Sequence, residues 1–106
     1  MPKYMWKVSY SEDGIRGLMK QGAADRAAQI GQITAANGGT LEGFYFAFGD
    51  TDAYVIADLP GDTTAAAISL AVAASGTAAI ETVKLLTPGE IDEARGIQTG
   101  YTPPGA

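Results

Sequence analysis

The side chains that could do chemistry here are few, because the sequence contains no histidine and no cysteine. That removes the serine–histidine triad, histidine-ligated haem, thiolate zinc sites, iron–sulfur clusters and a cysteine nucleophile. A metal would have to be held by hard oxygen ligands. Asp50 and Asp52, with Asp58 and Asp62 downstream, are the candidates. No twelve-residue calcium-loop pattern surrounds them, and aspartates in such positions also serve as turn residues, so no metal or cofactor is expected. Arg16, in Gly14-Ile15-Arg16-Gly17, could receive a carboxylate or phosphate, or could pair on the surface. Glu42, Glu81 and Lys84 fall in strand-like stretches. A carboxylate there would become a base only if it faced an apolar cavity; its ordinary place is in water or at a strand edge. Tyr10 and Tyr45 are candidate proton donors on the same footing.

The stronger signal is aromatic. Every aromatic residue except Tyr101 lies between Tyr4 and Tyr54. Trp6, Tyr10, Phe44, Phe46 and Tyr54 could line a pocket for a flat, apolar ligand. The competing reading is that they supply burial at an interface.

The elements that must position these residues follow from periodicity. Tyr4 to Tyr10 alternates as a strand, with Tyr4, Trp6, Val8 and Tyr10 on one parity. Ser11 can cap a helix whose apolar stripe runs from Ile15 to Ile33, with Gly22 marking a kink or a break into two helices. Asn37-Gly38-Gly39 ends it. Thr40 to Phe48 reads as a second strand, with Glu42, Phe44, Phe46 and Phe48 on one parity. Gly49-Asp50-Thr51 turns into a third strand, Asp52 to Leu59, forming an antiparallel hairpin. Asp62 or Thr63 can cap an alanine-rich helix from about Thr64 to Ala74. Ala79 to Leu86 is a fourth strand. Thr87, Pro88 and Glu90 then carry the signature of a capped short helix reaching Arg95. The order β-α-β-β-α-β is the split βαβ, ferredoxin-like arrangement of an α+β fold. One domain is expected over residues 1–95, with 96–106 as a tail.

Bulk properties narrow the partners. The chain has 106 residues and a formal charge of −5. Its basic residues are scattered, so neither nucleic acid nor an anionic membrane surface is an expected partner. The longest apolar stretch, Ala65 to Ala74, is too short to span a bilayer, and the first residues lack the apolar run of a signal peptide. A cytoplasmic location is the resulting expectation.

Tyr4 onward, Gly14-Ile15-Arg16-Gly17-Leu18, the run from Gly38 through Gly49, Ala71-Val72-Ala73-Ala74-Ser75-Gly76 and Leu85-Leu86-Thr87-Pro88-Gly89-Glu90 together resemble the GYD-domain family over roughly residues 1 to 94. The family's Gly-x-Tyr-Asp motif reads Gly49-Asp50-Thr51-Asp52 here, so Thr51 stands in the tyrosine position. The resemblance implies a ferredoxin-like fold similar to the dimeric α/β-barrel proteins. It brings no established activity with it.

The two middle strands are apolar on both parities, at Phe44–Phe48 and Ala53–Ala57, whereas a sheet wetted on one side should alternate. Leaving large side chains in water costs roughly 1.5–3 kcal/mol each. The expectation is therefore a homodimer, sheet against sheet, enclosing an aromatic-lined space. Two functions fit that picture. One is a binding or structural module for a small apolar molecule. The other is a cofactor-independent enzyme (an oxygenase, isomerase or dehydratase) acting on an aromatic or polyketide-like molecule.

Overall fold

The computed structural model describes residues 1–105. Strand β1 (Lys3–Tyr10) alternates buried and half-buried positions, as its sequence pattern requires. Helix α1 (Glu12–Gln21) starts at Ser11, whose hydroxyl accepts from the Gly14 amide, with Glu12 and Asp13 in the first turn. Gly22 breaks the helical stripe in two. Its φ of +93° ends α1 and opens α2 (Ala23–Ala36). That backbone conformation strains any residue with a Cβ.

Strands β2 (Thr40–Phe46) and β3 (Ala53–Asp58) form the expected hairpin. Helix α3 (Asp62–Ala74) follows, then β4 (Ala78–Leu85) and α4 (Pro88–Arg95). At α4 the full capping box is present: Thr87 accepts from the Glu90 amide while Glu90 accepts from the Thr87 amide. The Glu90 carboxyl is held below its ordinary pKa, first by that backbone N–H and then by the Thr87 side chain. At α3 the cap differs from expectation. Gly61 occupies it without a side-chain bond, and Asp62 instead directs its carboxylate to Tyr4 and Lys84.

The sheet is antiparallel with the order β2-β3-β1-β4, which is the ferredoxin-like arrangement. The core sits between the sheet and the helices. It is built from Tyr4, Trp6 and Val8 of β1, Ala53, Val55 and Ala57 of β3, and Leu59 and Ala65. Trp6 is 3 % exposed and donates its indole N–H to Ser69 Oγ at 3.1 Å. Ser69 donates to the Ala65 carbonyl at 2.9 Å, so the Thr82 hydroxyl must donate to Ser69 across 2.5 Å. This chain of bonds ties α3 to β1 and β4.

A bulge in β2 decides which side its residues face. Leu41 pairs with Ala57 and Gly43 with Ile56, leaving Glu42 as the extra residue. Leu41 and Phe44 therefore both pack on the core. Glu42 does not share their side, contrary to the simple parity of the sequence. It joins Asp58 in bonding Lys3 Nζ.

Residues 86–105, including α4, are exposed throughout. They extend the molecule to 57 Å along its longest axis, against 32 and 23 Å along the others. The radius of gyration, 16.9 Å, exceeds the roughly 13 Å of a compact domain of this length for the same reason.

Candidate functional site

Helix α2 packs on β2, and α3 packs on β4. These are the two edge strands. The helices are therefore held apart, and the middle strands β3 and β1 floor the gap between them. Alanine makes the gap possible, because Ala67 and Ala71 present only methyl groups from the α3 side. The resulting cleft has a volume of about 460 Å³ and opens to solvent. Trp6, Val55 and Phe44 form its floor, and Ile30, Ile33 and Ile68 form its apolar walls. A volume of that size lies within the range of small-molecule sites.

The two ends of the cleft are polar. Thr34 and Asn37 lie at the end of α2. Thr34 is buried and donates to the Ile30 carbonyl at 2.7 Å. At the opposite end stand Tyr10, Arg26, Ser75 and Thr77. A narrower crevice of about 150 Å³ adjoins that end beneath α1, and Tyr10, Arg26 and Thr77 line both spaces.

The five aromatic candidates divide between the two sides of the sheet. Trp6, Tyr10 and Phe44 line the cleft. Phe46 pairs with Ala53 and so shares the helix side, its ring centroid 5.1 Å from that of Phe44, but it is 43 % exposed at the sheet's end. Tyr54 pairs with Lys7 and Tyr45 and faces the open side. The expectation of one shared aromatic space on the open face thus does not match the geometry. The helices cover only part of their own side of the sheet, so three of these aromatics border a space inside the protomer.

The other candidates have ordinary partners. Arg16 binds Glu12 and, at 3.1 Å, Asp13 of its own helix. Glu81 meets Lys7 at 3.5 Å on the open face. Asp52 holds the hairpin to β1: Oδ2 accepts from the Tyr10 amide at 2.8 Å, and the Asp52 amide donates to Val8 at 2.8 Å. Asp50 accepts a bond from Ser9 Oγ through its backbone carbonyl. No cluster of three or more potential metal ligands occurs among the described residues.

A tyrosine–carboxylate pair does occur, but outside the cleft lining. Tyr4, 2 % exposed, donates its hydroxyl to Asp62, which also contacts Lys84 Nζ at 3.1 Å. The bond favours the protonated phenol, and with burial it pushes the Tyr4 pKa up to about 12. The Tyr4 and Lys84 side chains hold the Asp62 carboxyl below its ordinary value. On the open face, the bonds that Lys3 Nζ donates to Glu42 and Asp58 raise its pKa and keep it charged. Sequence reasoning missed Tyr4, Arg26 and Ser69, whose roles arise from contacts between elements distant in the chain.

Fold and site together define a ferredoxin-like α+β domain with an apolar cleft between its two sheet-packed helices. The GYD-domain family model matches residues 4–94, and the chain belongs to that family. No curated protein and no solved structure is significantly similar to it. No helix among the described residues is long and apolar enough to cross a membrane.

Proposed function

We propose that this chain is a small-molecule-binding domain that works as a homodimer. The ligand is a small apolar molecule seated between α2 and α3. The observation that carries the reading is the 460 Å³ cleft floored by Trp6 and Phe44. By the benchmark that a cavity of about 150 Å³ takes one benzene ring, the cleft has room for roughly three such rings. No carboxylate lines it among the described residues, so its chemistry suits binding better than proton transfer.

The open face of the sheet supports the homodimer. Met5, Ile56 and Val83 are cross-strand neighbours there, flanked by Tyr54 and Tyr45, and Tyr45 is 65 % exposed. Around this strip Lys3 meets Glu42 and Asp58, and Lys7 meets Glu81. A surface carrying both signs of charge around an apolar centre suits two-fold self-association.

Trp6 is the only tryptophan and reports on the cleft directly. Titration with 1-octanol should change its fluorescence saturably, and Ala71→Phe, which fills the space, should abolish the response. A native chain without a saturable response refutes the cleft reading, as does undiminished binding by Ala71→Phe. Sedimentation at micromolar concentration tests the assembly separately; a monomer refutes it.

A further inference from the structure

The cleft is not apolar along its whole length, and its polar end carries a cation. Arg26 lies in the first turn of α2, at the junction of the cleft and the adjoining crevice. It is half-buried and makes no ion pair among the described residues. Its one side-chain bond is to Gln29 Oε1 at 3.0 Å, which leaves most of the donors of its guanidinium fork unused. The acid in the crevice, Asp13, is already engaged by Arg16. The cleft itself offers no acid.

The neighbouring hydroxyls differ in what they can still give. Ser75 donates to the Val72 carbonyl at 2.6 Å, so Thr77 must donate to Ser75 across 2.7 Å. Both protons are committed. The Tyr10 hydroxyl has no partner among the described residues, and Tyr10 lines both spaces beside Arg26. The junction thus gathers a positive charge and more donors than the protein meets: Arg26 bonds only Gln29, and the Asp13 carboxylate of the crevice is paired with Arg16.

Resting on the cleft reading above, we infer that the ligand is an amphiphilic monocarboxylate. Its apolar body lies over Trp6 and Phe44, and its carboxylate meets Arg26 and Tyr10. A planar guanidinium takes a carboxylate through two parallel bonds, which sets orientation as well as affinity. From Arg26 to Asn37 the helix rises about 16 Å, which bounds the ligand's length. The acidic surface of the chain, with its net charge of −5, makes this local exception the more discriminating.

The test compares octanoate with 1-octanol, which share an apolar body and differ in charge, using Trp6 fluorescence at neutral pH. The native chain should prefer octanoate by roughly tenfold or more, as charge-assisted bonds in a partly desolvated site require. Arg26→Gln should abolish the preference by weakening octanoate roughly tenfold or more, while 1-octanol still binds saturably. Equal native affinities, or a preference that survives Arg26→Gln, overturn the inference but leave the cleft reading standing. Loss of 1-octanol binding in Arg26→Gln also overturns it, because Arg26 would then support the cleft rather than the anion. If neither compound binds the native chain, the cleft reading itself fails.

Discussion

Gly14 and Gly17 lie three residues apart on α1, and helix propensity alone treats them alike. Replacing either by alanine should stabilise an exposed helix by about 0.5–1 kcal/mol. The structure separates them. A Cβ on Gly14 would sit 2.0 Å from the Thr77 carbonyl oxygen and 3.2 Å from the Tyr10 ring, whereas Gly17 has open space around it. The obstruction is backbone and cannot rotate away. Helix α1 would have to lift, and the bond from the Ser11 amide to that same carbonyl, 2.9 Å long, would stretch or break. Overpacking costs about 1–3 kcal/mol and the lost bond about 0.5–1.5 kcal/mol. Set against the propensity gain of about 0.5–1 kcal/mol, Gly14→Ala should therefore destabilise by about 0.5–4 kcal/mol net, lowering the melting temperature by at least about 2 °C. Gly17→Ala should raise it. Urea and thermal unfolding of both variants give the comparison. A Gly14→Ala protein as stable as the native chain would refute the close-approach argument, as would a Gly17→Ala protein less stable than Gly14→Ala.

The Tyr4–Asp62 pair makes stability depend on pH at both extremes. The Asp62 pKa is depressed on folding, so its contribution is present above the ordinary value of 3.8 and is lost as pH falls through the lower folded value. The Tyr4 pKa is raised, so its contribution is complete below 10 and is lost as pH rises toward about 12. Phenolate absorbance should show a late-ionising tyrosine, and Tyr4→Phe should remove that step and lessen the acid dependence of the urea midpoint, leaving the part that Lys84 sustains at Asp62. Asp52→Ala deletes the carboxylate that accepts from the Tyr10 amide and should cost about 1.5–3 kcal/mol. Asp50→Ala should be close to neutral in the same unfolding experiment, since Asp50 contributes only its backbone carbonyl to that contact. Ile56→Glu, at the centre of the open face, should leave circular dichroism unchanged and convert a native dimer to monomers in sedimentation. A variant that sediments as the native chain does would reject this face as the interface.

The order of elements was legible because each boundary carries local chemistry. Ser11, Gly22 and the Thr87–Glu90 box act within a few residues of themselves, and all three stand where the sequence puts them. The Gly49-Asp50-Thr51-Asp52 stretch was readable as a turn, and its Asp52 proves to secure the hairpin against β1. What the sequence could not convey depends on register between distant strands. One bulge at Glu42 decides that Leu41 and Phe44 share a side, and no pattern within β2 announces it. The apolar character of the middle strands on both parities was real, but it did not say which aromatics the helices would reach. Trp6 went to the helix side and Tyr54 to the open one. The spacing of α2 and α3, and so the cleft, follows from packing each on an edge strand, which is a property of the assembled sheet.

The central strands send successive side chains to opposite sides, so neighbouring codons in β1 and β3 answer to different demands. Trp6 helps floor the recess, while Met5 and Lys7 on either side of it face away from the helices. Evolution can rework what the recess accepts without disturbing the far surface, and the far surface can drift without altering the recess. On the proposed reading, a family built on this plan could vary its ligands and its self-association along separate lines, because the two sides of these strands share the backbone and not the side chains.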